Sequence, residues 1–373
     1  MKIQRERERE RESKTPDIAV PLSTAWFDEE PERYLAREDF IRFQDISGVD
    51  FMDLLSDDRD KVMTAQTHLA QKSVLLNEIR KLHFGYGFPL LVYTHDMALG
   101  EAVVNHNQDI DETILARDMG DSLRRRHITL SHAAIPQAID TLYERQGRPV
   151  VIKNLGSGVG LDCLNALIAR PEKVDAVINY DTSGEALQLG EKISRHLEAE
   201  GKIRRGVVRY VRKSLTKSRE PADLIVKIGV ICGLRDFAAS YLLAEACNTL
   251  NPGGMLIVST SNENMEKTDP LGSFLIQHIG TRNDPFMGWG LNFRKKETLE
   301  KMLREAGYSE IAIYSDTEYP GRDALPEKIL HGIDTLPAEA MGYEHSGKPL
   351  SLPPREVLDQ RISYNWIAVA AKG

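Results

Sequence analysis

The stretch from Pro149 to Gly160, PVVIKNLGSGVG, constrains the fold more than any other part of the chain. Val150, Val151, Ile152 and Leu155 favour a buried strand, interrupted only by the polar pair Lys153-Asn154. They run straight into Gly156, Gly158 and Gly160, and apolar residues then recur at helical spacing at Leu161, Leu164, Leu167 and Ile168. A strand, a glycine turn and a helix in that order make a nucleotide-binding βα unit. Glycine suits the turn because a Cβ would hold a ligand away from the backbone and penalise positive φ. A dinucleotide fingerprint, G-x-G-x-x-G/A, calls for a small residue at position 161, where this chain has Leu161. The G-x-G-x-G spacing fits a ligand without a pyrophosphate, which places a nicotinamide dehydrogenase last among the readings.

The rest of the chain decides what surrounds that unit. After residue 149, strand and helix patterns alternate, which implies a mostly parallel sheet with right-handed crossovers. Strands are expected at 150–155, 174–181, 207–211, 222–230, 255–260, 310–315 and 362–371, with helices at 236–250 and 295–306. Ser183 caps a further helix carrying Ala186, Leu187, Ile193 and Leu197. Asn251-Pro-Gly-Gly254 is a strong turn signal before the fifth strand. Residues 30–147 read as an α-helical cap. One helix there is capped at Asp57 or Asp58 and carries Val62, Ala65, Leu69, Leu75, Leu76, Ile79 and Leu82; others are expected at 96–105, 110–126 and 131–146, the last opening at Ser131. Residues 1–29 are a charged tail and lead-in, with Arg5, Arg7, Arg9 and Arg11 alternating with Glu6, Glu8, Glu10 and Glu12. The insertion at 317–361 holds six prolines and is expected to form a lid or a subunit contact.

Charge and cysteine usage narrow the classes. The formal net charge of −8 disfavours a broad nucleic-acid surface, which needs clustered Lys and Arg. Cys163, Cys232 and Cys247 show no metal-ligand or C-x-x-C spacing, so they read as buried thiols of a reducing compartment. No metal is expected. With no apolar signal core and no run of transmembrane length, the chain reads as cytoplasmic, with no membrane partner.

Three ordered stretches carry a family resemblance: VVIKNLGSGVG, INYDTSGEALQLGEKI with Asp181 at the end of the second strand, and ACNTLNPGGMLIVST. Together they resemble the class I S-adenosylmethionine-dependent methyltransferases from about residue 146 to 316, with 362–371 as an antiparallel last strand. Residues 222–316 look somewhat like a group of bacterial methyltransferases of unknown substrate. The resemblance implies a Rossmann-like, doubly wound, seven-stranded sheet and S-adenosylmethionine as cofactor. It implies that Gly156, Ser157, Gly158 and Gly160 lie against the methionine part, with least space for a side chain at Gly158. It also implies that Asp181 accepts hydrogen bonds from the ribose, and that Thr182, Ser214, Leu215 and Ile228 complete the cofactor contacts. Two positions depart from the family pattern. Asn154 stands where an acidic residue is common, and Lys213 or Ser214 stands where an Asp often reads the adenine.

Methyl transfer from a sulfonium is an in-line displacement that depends on positioning, so it imposes no obligatory triad. The acceptor is expected to be a small molecule, held by segments following the fourth and fifth strands, 231–236 and 261–292. There Asn262 and Trp289 are candidate acceptor contacts, Asn264 and Arg282 lie in the same run, and His278, on an amphipathic helix SFLIQHIG, is the candidate general base. His127 and His132 are secondary candidates, while Tyr86 and Tyr93 read as core or interface residues. A homodimer is left open. The competing reading, motivated by Asn154 and the missing adenine carboxylate, is a methyltransferase-fold protein that senses the cofactor or binds a partner with weak or no turnover.

Overall fold

The computed structural model describes residues 31–80, 86–94, 100–281, 291–321 and 362–373. Seven strands form one sheet in the order β3-β2-β1-β4-β5-β7-β6. They span Val150–Leu155 (β1), Val174–Asp181 (β2), Val208–Arg212 (β3), Ala222–Lys227 (β4), Leu250–Ser261 (β5), Tyr308–Ser315 (β6) and Asn365–Lys372 (β7). β1 to β5 run parallel, and β7 lies antiparallel between β5 and β6. This is the Rossmann-like, doubly wound sheet that the sequence implies. The chain builds outward from β1 through β2 to β3, then returns to the other side of β1 for β4. The strand order therefore reverses between β1 and β4, and a crevice opens at the carboxyl ends of those strands.

The core explains the apolar runs. Ile135, Ile139 and Leu142 of helix Ile135–Gln146, with Leu161, Leu164 and Leu167 of helix Leu161–Ala169, pack on Val150, Ile152, Val177 and Leu224. On the other face, Leu243 of helix Asp236–Thr249 and Leu299 and Leu303 of helix Lys296–Glu305 cover Ile178, Ile225, Leu256 and Ala368. β4 is buried at every residue, as a central parallel strand covered on both faces must be.

Several boundaries differ from the sequence expectation, each for a local reason. β4 stops at Lys227 because Gly229, at φ 68°, turns the chain and gives its N–H to Ser259 Oγ at 3.1 Å. β5 starts at Leu250: the Asn251–Gly254 turn is accommodated as a break in register, Leu250 opposing Ala222 and Met255 opposing Leu224. β7 begins at Asn365. In the helical region Asp58 caps helix Arg59–Lys72, but the expected single helix breaks at Ser73 (φ −132°, ψ 127°). Asp111 accepts from Val74 N, Leu75 N and Ser73 Oγ, and so starts a second helix, Val74–Arg80. The span expected as one helix at 110–126 is two, Gln108–Leu115 and Asp118–Thr129. The latter continues through a π turn, Leu130–Ala134, into Ile135–Gln146, so Ser131 opens no helix. Residues 101–107 are not helical, and residues 95–99 and Leu82 lie outside the described residues. So do residues 1–30 and 322–361, and with them the tail and most of the insertion.

One buried cation gives a stability prediction. Lys227, at the end of β4, is 1% exposed, and its amine donates to Leu242 O at 2.8 Å. Burial pulls its pKa down from 10.5 to about 7. The unfolded chain binds a proton below 10.5 that the folded chain resists, so stability falls as pH drops from about 10.5 to about 7 and levels off below that. Lys227→Met is expected to raise stability at pH 7 by roughly 2–4 kcal/mol and to flatten this dependence. Urea unfolding near pH 7 and near pH 9 checks it; equal wild-type stability at the two pH values would contradict the assignment.

Candidate functional site

The crevice at the reversal of strand order is a cleft of about 750 Å³. Its floor is the glycine turn. Gly156 N and Ser157 N both donate to Tyr180 O, at 2.9 and 3.0 Å, which ties the turn to the end of β2. Gly156, Gly158 and Gly160 all take positive φ, at 73°, 53° and 85°. A Cβ on Gly160 would lie 2.8 Å from Asn179 Oδ1, and one on Gly156 would lie 2.5 Å from Val230 Cγ2. On Gly158, among the described residues, it would meet only Tyr86 Cβ at 3.5 Å, an ordinary contact. The tight positions in the turn are therefore the outer glycines and not the middle one.

Asp181, the last residue of β2, holds the turn from the side. Its Oδ2 accepts from Gly158 N and its Oδ1 from Ser183 N, each at 2.8 Å. Each oxygen keeps a further lone pair for a ligand hydroxyl. Asn154, 3% exposed, donates from Nδ2 to Asn179 Oδ1 at 3.0 Å. The same cleft is lined by Ser157, Thr182, Ser214, Leu215 and Ile228, so every position that the resemblance implies for the cofactor borders one space. Of the two residues weighed after β3, Ser214 lines it and Lys213 turns to Glu220, 3.6 Å away.

The acceptor candidates are placed differently. His278 is 1% exposed, its ring lies 4.5 Å from that of Phe274, and it is not among the cleft's lining residues. The segment expected to be an amphipathic helix is helix Pro270–Leu275 followed by a π turn, with Leu271, Phe274, Leu275, Ile276 and Ile279 all buried. They pack with Phe40, Phe51, Leu69, Leu75 and Ile79 in a core of the N-terminal helices. Asn262 is fully buried, with Nδ2 donating to Ser363 O at 2.9 Å and Oδ1 accepting from Asn264 N at 3.0 Å, and it does not line the cleft. Trp289 and Arg282 lie outside the described residues.

Tyr86 and Tyr93, expected in the core or an interface, pack against the core and also line the cleft. Behind Tyr93 lies His127, stacked on it at 4.2 Å. His127 Nδ1 is 2.7 Å from Asp162 Oδ1, and Ser131 Oγ donates to that oxygen at 3.3 Å. Asp162 lines the cleft, while His127 and His132 do not. Burial and the neighbouring His127 depress His132 to about 4, so it stays neutral at physiological pH.

Sequence reading missed two arginines. Arg294, 2% exposed, donates to the Ile231 and Leu234 carbonyls and pairs with Asp236, which fixes the loop after β4. Arg126 is 4% exposed and lines the cleft. Its only signal is a run of three arginines, Arg124–Arg126, which reads as a solvated helix face. Among the described residues no three His, Cys, Asp or Glu side chains group to hold a metal, and no helix is long and apolar enough to cross a membrane.

A family model described as a methyltransferase domain matches residues 126–312, half of the chain. The chain belongs to this methyltransferase family. No curated protein matches it. Solved structures similar to this chain include a possible exported protein from Bordetella parapertussis, 16% identical with TM-score 0.48, covering 92% of this chain and 98% of that one. Magnesium protoporphyrin IX methyltransferase from Synechocystis PCC 6803 with bound SAH is 13% identical with TM-score 0.41, covering 69% and 88%. The 1,6-didemethyltoxoflavin-N1-methyltransferase of Burkholderia thailandensis is 16% identical with TM-score 0.37, covering 73% and 92%. These scores are too low to carry a ligand or a substrate over to this chain.

Proposed function

We propose that the protein is an S-adenosylmethionine-dependent methyltransferase acting on a small-molecule acceptor by in-line displacement. The observation that carries this reading is the joining of the glycine turn, Asp181 and Ser214–Thr216 around one cleft at the reversal of strand order, in a methyltransferase family member. The residues fit the cofactor. The outer glycines sit where a Cβ has no space, Asp181 faces the cleft with a carboxylate for ribose hydroxyls, and Leu215, Ile228 and Val230 supply apolar wall for a base. Bound there, the cofactor supplies an electrophilic methyl on a sulfonium, and its transfer leaves a neutral thioether. The chain's own part is to orient the two reactants and exclude water, and positioning alone can supply much of the acceleration. His278, Asn262 and Trp289 remain proposals as acceptor-side groups. Since neither His278 nor Asn262 borders the cleft, a role for either is through residues that do.

Asp181→Ala is expected to weaken binding of S-adenosylhomocysteine by about 1.5–3 kcal/mol, the range for hydrogen bonds to a charged group. Because Asp181 also holds Gly158 N and Ser183 N, it should lose about 1–2 kcal/mol of stability. Calorimetric titration beside a thermal melt measures both. Unchanged affinity in the folded variant would remove Asp181 from the ribose, and no binding by the wild type would remove the proposed function. A cofactor-sensing protein without turnover is the second reading, favoured by Asn154 and Ser214 standing where the family commonly has carboxylates. Methyl transfer to any acceptor ends it.

A further inference from the structure

Arg126 is a buried cation whose partners do not balance it. Its NH1 donates to Asn365 Oδ1 at 3.2 Å and its NH2 to Tyr93 Oη at 3.1 Å, both neutral oxygens. Among the described residues its buried Nε has no hydrogen-bond partner and no carboxylate forms an ion pair with it. Asp162, the carboxylate whose charge reaches Arg126, forms no ion pair with it and is hydrogen-bonded to His127 and Ser131. A buried guanidinium is ordinarily paired, because removing the charge from water is costly. The guanidinium lies against the backbone of Gly229, which also lines the cleft: a Cβ there would touch Arg126 NH2 at 3.6 Å, an ordinary contact. Tyr93, which accepts from Arg126, keeps its own O–H to donate, and burial pushes its pKa up, so the proton stays in place.

Position sets this pair apart from most of the proposed cofactor contacts. Those follow β1, β2 and β3, with Ile228 and Val230 after β4, whereas Arg126 is held by the first residue of β7 and faces Gly229 from the helical side. The same cleft is lined by the apolar side chains of Leu123, Met265, Ile276 and Leu291. A charge-assisted donor pair at one end of an apolar pocket is complementary to an amphiphilic anion, and a guanidinium matches the planar fork of a carboxylate. We propose that Arg126 and Tyr93 form the anion-recognition end of the acceptor site, and that the acceptor is a carboxylic acid with an apolar body. This rests on the methyltransferase reading above.

The test uses the full chain saturated with S-adenosylhomocysteine, whose own binding checks the underlying reading separately. Phenylpropanoate, indoleacetate and naphthoate are titrated against their primary amides. Each acid that binds is expected to do so on the order of tenfold more tightly than its amide, with the preference abolished in Arg126→Gln. Tyr93→Phe, which removes only a hydroxyl, should weaken acid binding more than amide binding and so reduce the preference several-fold, which keeps the proposal testable if Arg126→Gln fails to fold. No acid preferred over its amide in the wild type would overturn the proposal. So would a loss of S-adenosylhomocysteine affinity in Arg126→Gln as large as the loss of acid affinity, since the guanidinium would then serve the cofactor's carboxylate.

Discussion

Asp316→Ala is expected to destabilise the protein by about 3–5 kcal/mol, the cost of removing one partner from a buried charge pair. Asp316 follows β6 and is fully buried. Its Oδ2 accepts from Ser122 Oγ at 3.0 Å and from Arg125 Nε at 3.1 Å, and its Oδ1 accepts from Ser363 Oγ. Ser122 and Arg125 belong to helix Asp118–Thr129, and Ser363 precedes β7, so one carboxylate fastens that helix to the β6–β7 edge of the sheet. Without it, Arg125, 5% exposed, keeps Asp121 and the Ile362 carbonyl but loses half of its opposing charge. Asp316→Asn keeps the acceptor and loses the charge, so it should cost less than alanine. Urea denaturation with a constant m-value measures the difference. A loss below about 1 kcal/mol would mean that the network is relaxed by water, and that the helix is held by its apolar contacts alone.

This carboxylate also marks where sequence reading stops. The sheet was legible because its signals are local: β1, β2 and β4 are short Val- and Ile-rich runs, and the glycines after β1 announce a turn that other residues resist. The proposed cofactor side of the cleft could be placed for the same reason, since Asn154 to Gly160 and Asp181 to Thr182 lie at strand ends whose register follows from the pattern. The proposed acceptor side depends on contacts between remote segments. Arg126 meets Asn365, 239 positions away, and Arg125 meets Asp316, 191 away. Nothing within MGDSLRRRHITL distinguishes a charged surface face from a helix enclosed on every side. His278 fails in the opposite direction. SFLIQHIG reads as amphipathic, yet Gln66, 212 positions earlier, donates to the His278 carbonyl at 2.6 Å, and both sides of the segment are buried in the helical core. The break at Ser73 was hidden likewise, because the cap for the second helix is Asp111, which lies on another helix.

Gly160→Val should have the largest effect on ligand binding, and comparison with Gly158→Val makes the result diagnostic. At Gly160 the backbone sits at φ 85°, where an L-residue is strained by roughly 1–2 kcal/mol, and β-branching adds to this. The new Cβ would press on the Asn179 side chain, with Oδ1, Cγ and Nδ2 at 2.8, 3.0 and 3.1 Å. Asn179 is fully buried on β2 and accepts from Asn154, so it cannot move without breaking that bond. Overpacking of this kind costs about 1–3 kcal/mol. The glycine turn must shift, carrying Gly158 N away from Asp181, and affinity for S-adenosylhomocysteine should fall on the order of a hundredfold or more. At Gly158, φ is 53° and the added Cβ meets only Tyr86 Cβ at 3.5 Å, so the free protein should tolerate valine with a smaller stability loss. A loss of affinity at Gly158 larger than its loss of stability points to a clash with the ligand itself, because the described residues leave space for the side chain and the strain at φ 53° is read separately in the melt. Thermal melts and titrations on both variants separate the two causes. If Gly158→Val is stable and binds as tightly as the wild type, the ligand does not pass over the middle of the turn; if Gly160→Val does so, the Asn179 contact does not hold the turn in place.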